Sequence, residues 1–411
     1  MASNITSSVS VPLYPTPNVL VGPNQQYTRL YDALTDNDQD ITGQGPFVIC
    51  IREPFTDTQS IQFTGVALNS WKTTQTDYIH IYVHPDARHH GYWDDSKYNL
   101  SAGNYFGVFY PYGQDIVLDG LQLKNTFGYS DTGGPASGYY AKLSGSAIIR
   151  NCIIDSVTDH RGLEPAVNSN NGIIITDIYQ AGGSSTPVDF KWSAIIENNI
   201  ISGYRTGIQV GAFQRVSTGS VTIQHNTIVN QYTSGSTRRA TGLQDNTYNS
   251  ASVGLVEIFT RNNLVYTSPT ISASYTEVDI AHQAYNRGGG QIPSTCDVTH
   301  NVSYSGSNDD PWSTWTNQIG GTRKHFTDLD PNFVDIEGKD FRLSPGNNEH
   351  IRVGKNLRDD PYFPIWTDIN GVSRDDGKPG AYAGAHHPQE KGFREFPVDE
   401  TRMERKYRGR K

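Results

Sequence analysis

Short runs of alternating apolar and polar residues recur along the chain, and five of them share one six-residue pattern. They run from Ile148 to Ile153, Ile196 to Ile201, Ile223 to Ile228, Phe259 to Leu264 and Val298 to Ser303. Each carries an apolar residue three before an Asn, and four carry another two after it. A sixth run, Leu118 to Leu123, keeps both apolar positions and places Leu121 where the Asn would stand. Residues five apart fall on opposite faces of an unbroken strand and do not follow the helical period, so a bend must separate the two apolar positions. Asn tolerates the left-handed backbone of a sharp corner, and its amide can bond the same amide in the next repeat. Asn151, Asn199, Asn226, Asn262 and Asn301 are therefore read as corner or ladder residues. Asn199 and Asn226 are expected in neighbouring coils, with Ile201 and Ile228 stacked inside.

The Asn positions stand from the high twenties to the high forties of residues apart. A minimal solenoid coil takes ~20 to 30 residues, so the excess is expected to leave as loops. Gly133-Gly134-Pro135, Gly182-Gly183-Ser184-Ser185, Ser234-Gly235-Ser236-Thr237 and Gly288-Gly289-Gly290 are the loop tips. Composition points the same way: 40 Gly, 21 Pro and 24 Tyr in 411 residues favour short strands and frequent turns over amphipathic helices. A hydrophobic content of 35% is low for a globule of this length but fits a solenoid with a thin core inside each coil.

The net charge of -9 argues against a protein that coats nucleic acid. Cys50, Cys152 and Cys296 are far apart and lack metal-ligand spacing, so buried free thiols are expected and no cofactor is implied. No stretch approaches the ~18 apolar residues of a membrane span, and Met1 to Ser10 is polar. Neither classical secretion nor membrane insertion is expected.

The repeat resembles that of the right-handed parallel β-helix proteins, the pectate-lyase-like class, over nearly the whole chain. Val21 to Leu30 followed by Ala33-Leu34 is similar to the opening segment of such proteins, where a short strand leads into a capping helix. Asp330 to Asp335 with Asp340 to Gly346 resembles their closing segment, and Asp368 to Arg374 with Gly380-Ala381-Tyr382 their final turn. The resemblance implies an all-β chain: an extended arm over residues 1–20, a β-helix with opening and closing caps over 21–384, and a basic arm over 385–411. It says little about function, because lyases, hydrolases, adhesins and viral spikes share the fold.

Sugar-cleaving members of the class place carboxylates or a Lys/Arg base on neighbouring coils. The best such cluster is Asp155, Asp159, His160, Arg161 and Glu164, with a second at Glu257, Glu277, Asp279 and His282. Coils ~4.8 Å apart could hold two carboxylates at the ~5 to 10 Å used in glycoside hydrolysis. Loop structure and surface salt bridging are nevertheless the expected role of the first cluster, ahead of catalysis. The chain lacks the Asn-Thr-Asp, Asp-Asp and Gly-His-Gly series of the polygalacturonases in its context, and the Trp-Ile-Asp-His run of the pectate lyases. His89-His90 and His386-His387 read as solvated loop positions, and the aromatic run Tyr105, Phe106, Phe109, Tyr110 and Tyr112 as packing rather than sugar stacking.

The tails differ from the body. Pro12, Pro15 and Pro17 keep the first residues from pairing fully in a sheet. From Lys391 to Lys411 there are eight Lys or Arg against four Asp or Glu, ending in Arg402, Arg405, Lys406, Arg408, Arg410 and Lys411. The expectation drawn from these features is a virion structural protein, a bacteriophage capsid decoration, spike or fibre component. Its arms would dock on capsid or tail subunits, its basic tail on an acidic partner surface, and its outer faces would support a homo-oligomer such as a trimer. The rival is an extracellular or tailspike-like polysaccharide lyase or glycoside hydrolase that meets a host surface glycan.

Overall fold

The computed structural model describes residues 14–63, 68, 70–103, 107–126, 138–143, 145–156, 171–177, 191–204, 206–211, 218–230, 241–245, 255–267, 278–281, 295–304, 326, 329–360, 364–374 and 380–388. β-branched and apolar residues dominate strands such as Ile79–Val83 and Ile116–Asp119, which are buried at every position. Strands one coil apart pair in parallel and build three long sheets. The first has nine strands, from Val19–Val21 to Thr295–Thr299. The second has eight, from Thr56–Asp57 to Val302–Tyr304, and the third seven, from Ile61–Gln62 to Val278–Ala281. The chain is a right-handed parallel β-helix, as its repeat predicts.

Register shows how the repeat works. In the first sheet Leu118, Ile149, Ile196, Ile223, Thr260 and Val298 pair in one row. In the second, Leu123, Ile154, Ile201, Ile228 and Val265 pair in another. All but Thr260 belong to the central core. The corner between the rows is a left-handed residue: φ is 54° to 56° at Asn151, Asn198, His225, Asn262 and His300, and 79° at Gly120. The next position carries the ladder. Asn199 Nδ2 donates to Asn226 Oδ1 at 3.0 Å, Asn226 to Asn263 at 2.9 Å and Asn263 to Asn301 at 2.9 Å.

Two of the six-residue runs are displaced by one from the register that sequence pattern predicts. Ile149 rather than Ile148 stacks inside, and Thr260 rather than Phe259 takes the inner row. The cause is local. Asn151 is a corner residue whose ladder slot is filled by Cys152, and Asn262-Asn263 fills corner and slot together. Asn199 and Asn226 do sit in successive coils with Ile201 paired to Ile228.

At the start of the helix, Val19–Val21 pairs with Phe47–Ile51, so Val19 and Leu20 belong to the first sheet rather than to an arm. The short helix Leu30–Asp36 then buries Leu30, Ala33 and Leu34 in the core. The segments read as a closing cap and final turn do not close the far end. The described residues between 329 and 388, which form a return segment, instead run back along the outside of the second sheet. Phe341, Ile369 and Ala385 cover Ile153, Ile200, Val229 and Tyr266, while Leu343, Ile351 and Tyr382 cover Leu264 and Val302. The apolar part of that sheet's outer face is thereby removed from water.

Candidate functional site

Of the first predicted cluster, Asp155 is described, and it is neither in a loop nor at the surface. It lies in strand Ile153–Ser156, 1% exposed. Lys339 Nζ donates to its two oxygens at 3.0 and 2.9 Å, and Ser202 Oγ to one of them at 2.7 Å. Because Lys339 belongs to the return segment, Asp155 acts as a clamp. Asp159, His160, Arg161 and Glu164 lie outside the described residues. So do Glu277 and His282 of the second cluster, and the side chain of Asp279. Glu257 is half-buried on the outer face of the first sheet, and burial pushes its carboxyl up. The basic residues Arg402, Arg405, Lys406, Arg408, Arg410 and Lys411 also lie outside the described residues.

Three of these four histidines are not solvated: His89 lies buried near the return segment, and His386 and His387 are buried within that segment, while His90 is exposed. Phe109 stacks on Tyr139, with centroids 5.9 Å apart and planes within 10°, and is fully buried. Tyr110 is buried and Tyr112 half-buried, whereas Tyr105 and Phe106 lie outside the described residues. Cys50 and Cys152 are buried free thiols, and burial raises Cys152 to about 12.

The constellation that sequence reasoning missed stands on the outer face of the first sheet. Asp119, Arg150, Glu197, Gln224, Arg261 and Thr299 pair coil to coil in a single row. Each directly precedes a left-handed corner and follows an inward residue, so each side chain faces outward. That placement was the available signal: a polar residue one before every corner. Arg150 Nε donates to Asp119 Oδ2 at 2.8 Å, Arg88 pairs with Asp119 Oδ1 at 3.2 Å, and Asn151 Nδ2 donates to the same oxygen at 3.0 Å. Gln224 bridges the next members, donating to Glu197 Oε2 at 3.0 Å and accepting from Arg261 Nη2 at 2.9 Å. Arg261 also pairs with Asp360 of the return segment at 2.6 Å.

The row is closed at both ends and opens in the middle. Asp119, Gln224 and Arg261 have no exposure, whereas Arg150 and Glu197 are half-buried beside half-buried Ile148 and Ile195. The two carboxyls diverge. Burial pushes Asp119 up, but Arg150, Arg88 and Asn151 outweigh it and hold the acid below its ordinary value. Burial raises Glu197 above the usual range, against the pull of Gln224 and Arg150. Two acids two strand spacings apart, roughly 9 to 10 Å, with opposite shifts have the outline of an acid and base pair. Asp119 is enclosed and held by three partners, so Glu197 is the member that a solute can reach. Among the described residues, no group of three or more His, Cys, Asp or Glu could hold a metal ion.

No protein family matches the chain, and no curated protein is similar to it. Two solved structures are similar to it at low identity. A crystal structure of pectin methylesterase from Aspergillus niger is 10% identical with a TM-score of 0.39, covering 82% of this chain and 93% of that one. Escherichia coli YbhC is 11% identical with a TM-score of 0.40, covering 77% of this chain and 86% of that one.

Proposed function

We propose that the chain is a structural component of a larger assembly, a virion protein such as a bacteriophage capsid decoration, spike or fibre. In this reading the β-helix is a stiff projecting rod whose terminal arms bind capsid or tail subunits. The observation that supports it is the use made of the acidic side chains. Asp155 is held by Lys339, Asp297 by Lys355 at 2.8 Å and Asp360 by Arg261, so three carboxylates fasten return segment to coils. Asp119 ties coil to coil through Arg150. A flank locked in this way resists bending and unwinding, which a projecting rod requires. Immunogold labelling of particles purified from the source is the test: label on the particle surface is expected, and a signal confined to the particle-free fraction would overturn the reading.

One observation favours a second reading, that of a polysaccharide lyase or glycoside hydrolase. Glu197 is reachable, holds its proton more tightly than an ordinary carboxyl, and sits between Arg150 and Gln224 on a sheet face along which a sugar chain can lie. Incubation with host capsule or lipopolysaccharide separates the two, with reducing ends and unsaturated uronate absorbance as readouts. The structural reading expects no product. Release of product that Glu197→Gln abolishes and Asp155→Asn leaves intact would establish the enzyme instead.

A further inference from the structure

Three buried imidazoles share one arrangement at the border between the corner row and the return segment: a ring nitrogen faces a donor that has no lone pair to offer. His225 occupies a corner, and its Nε2 lies 2.9 Å from Asn262 Nδ2. The orientation of that amide is fixed from the other side, because Lys355 N donates to Asn262 Oδ1 at 2.8 Å while Asn262 Nδ2 donates to Lys355 O at 2.6 Å. His225 Nε2 therefore accepts. His386 Nδ1 accepts from Leu343 N at 3.3 Å, and His89 Nδ1 accepts from Gly91 N at 3.2 Å while its Nε2 faces the carbonyl of Asn151 at 2.9 Å. Each ring is neutral in this geometry, and a proton on the accepting nitrogen would set two N–H groups against each other.

The surroundings add to the conflict. His225 faces Arg374 and Arg261, with the carbonyls of Gly384 and Tyr382 on its other side. His386 faces Arg342, Arg374 and His387, and His89 faces Arg88, His90 and Asp119. Asp119 is the one acid among them, and Arg88 and Arg150 already neutralise it. The contacts at stake are of two kinds: the Asn262–Lys355 bonds and Arg88 Nη2 to Ile369 O, at 3.2 Å, fasten the return segment to the coils, and Leu343 N to His386 Nδ1 holds two parts of the return segment together. The Asn ladder, by contrast, contains no titratable side chain.

We infer that the return segment is an acid-sensitive latch, released from the corner row when His89, His225 and His386 take up protons while the coils remain stacked. Burial lowers all three, His89 and His386 to about 3 and His225 in the same direction. A folded-state value below the unfolded value, near 6.5, means that docking is favoured above about pH 6.5 and is lost progressively as pH falls below it. Asp368 and Glu197, raised by burial, act in the opposite sense, and release below about pH 6.5 is the response the three imidazoles impose.

Hydrogen–deuterium exchange of the full chain at pH 7.5 and 5.5, corrected for intrinsic exchange rates, tests the latch. Peptides over residues 340–388 are expected to lose protection at least tenfold on acidification while peptides from Ser193 to Ile201 change less than twofold. Equal change in both regions, or none, overturns the inference on the unaltered protein alone. The double variant His225→Asn with His386→Asn places at the corner the residue already found at Asn151, Asn198 and Asn262. It should reduce the tenfold loss to threefold or less, and His225→Gln in place of His225→Asn should do the same. A folded variant of either kind that keeps the full tenfold response overturns it too.

Discussion

At the scale of single residues, the ladder Asn is the most constrained group in the fold. Asn226 accepts from the backbone and side-chain nitrogens of Asn199 through one oxygen, and donates to the carbonyl of Ile196 and to Asn263 Oδ1. Its side-chain oxygen and nitrogen are both engaged within a fully buried site. Asn226→Ala removes the acceptor for two buried donors and the donor for a buried carbonyl. At ~1 to 3 kcal/mol for each unsatisfied group, a loss of about 3 kcal/mol or more is expected, read as a lower denaturant midpoint at an unchanged slope. Ile228, fully buried one turn beyond the ladder, gives the apolar counterpart. Ile228→Asp should cost several kcal/mol by burying an unpaired charge, and circular dichroism should show either a much lower melting temperature or loss of the β signal. The ladder was readable in the sequence because Asn is a rare choice for a buried site, and its recurrence beside isoleucines announces a role. The exact slot was less readable. Asn suits both the left-handed corner and the amide ladder, so Asn151 and Asn262 looked like Asn199 and Asn226 although they stand one position earlier.

At the scale of elements, the return segment is an addition that the coils do not need for their own pairing but that their outer face needs for burial. Its sequence was legible as outside the repeat, while its course was not. Nothing local in Asp330 to Tyr382 states that it runs beside the second sheet instead of closing the last coil. That fact rests on contacts between residues far apart in sequence, such as Lys339 with Asp155 and Arg374 with Asn198. Asp155 was likewise visible as an acid near a coil, but its meaning depended on Lys339. Lys339→Met should leave the Asp155 carboxylate with Ser202 as its remaining side-chain partner. A loss of about 2 to 4 kcal/mol at pH 7 is expected, toward the lower end because the lysine is partly exposed. Adding Asp155→Asn should recover much of it at pH 7. Urea unfolding of the three proteins at pH 7 checks each step, and a double variant no more stable than Lys339→Met would show that lost packing, not the stranded charge, is responsible.

At the scale of the molecule, charge is distributed unevenly, and the last prediction rests on that contrast. A chain with a net charge of -9 ends in Arg402, Arg405, Lys406, Arg408, Arg410 and Lys411, which lie outside the described residues. In the proposed assembly this tail binds an acidic surface of a neighbouring shell subunit. A guanidinium can bond a carboxylate through two parallel hydrogen bonds, and several such pairs on one arm add up even where each exposed pair contributes only ~0 to 1 kcal/mol. Attachment of this kind weakens as salt shortens the screening length, from about 10 Å at 0.1 M to about 3 Å at 1 M. Deletion of residues 391–411 should leave the melting temperature of the β-helix unchanged, because ladder, core and return segment all precede the cut. Incorporation into particles should fall sharply, and the full chain should be released from particles by salt over the same range. If the shortened chain joins particles as well as the full chain at equal concentration, the tail does not anchor the protein, and the docking surface must be sought on the coils themselves.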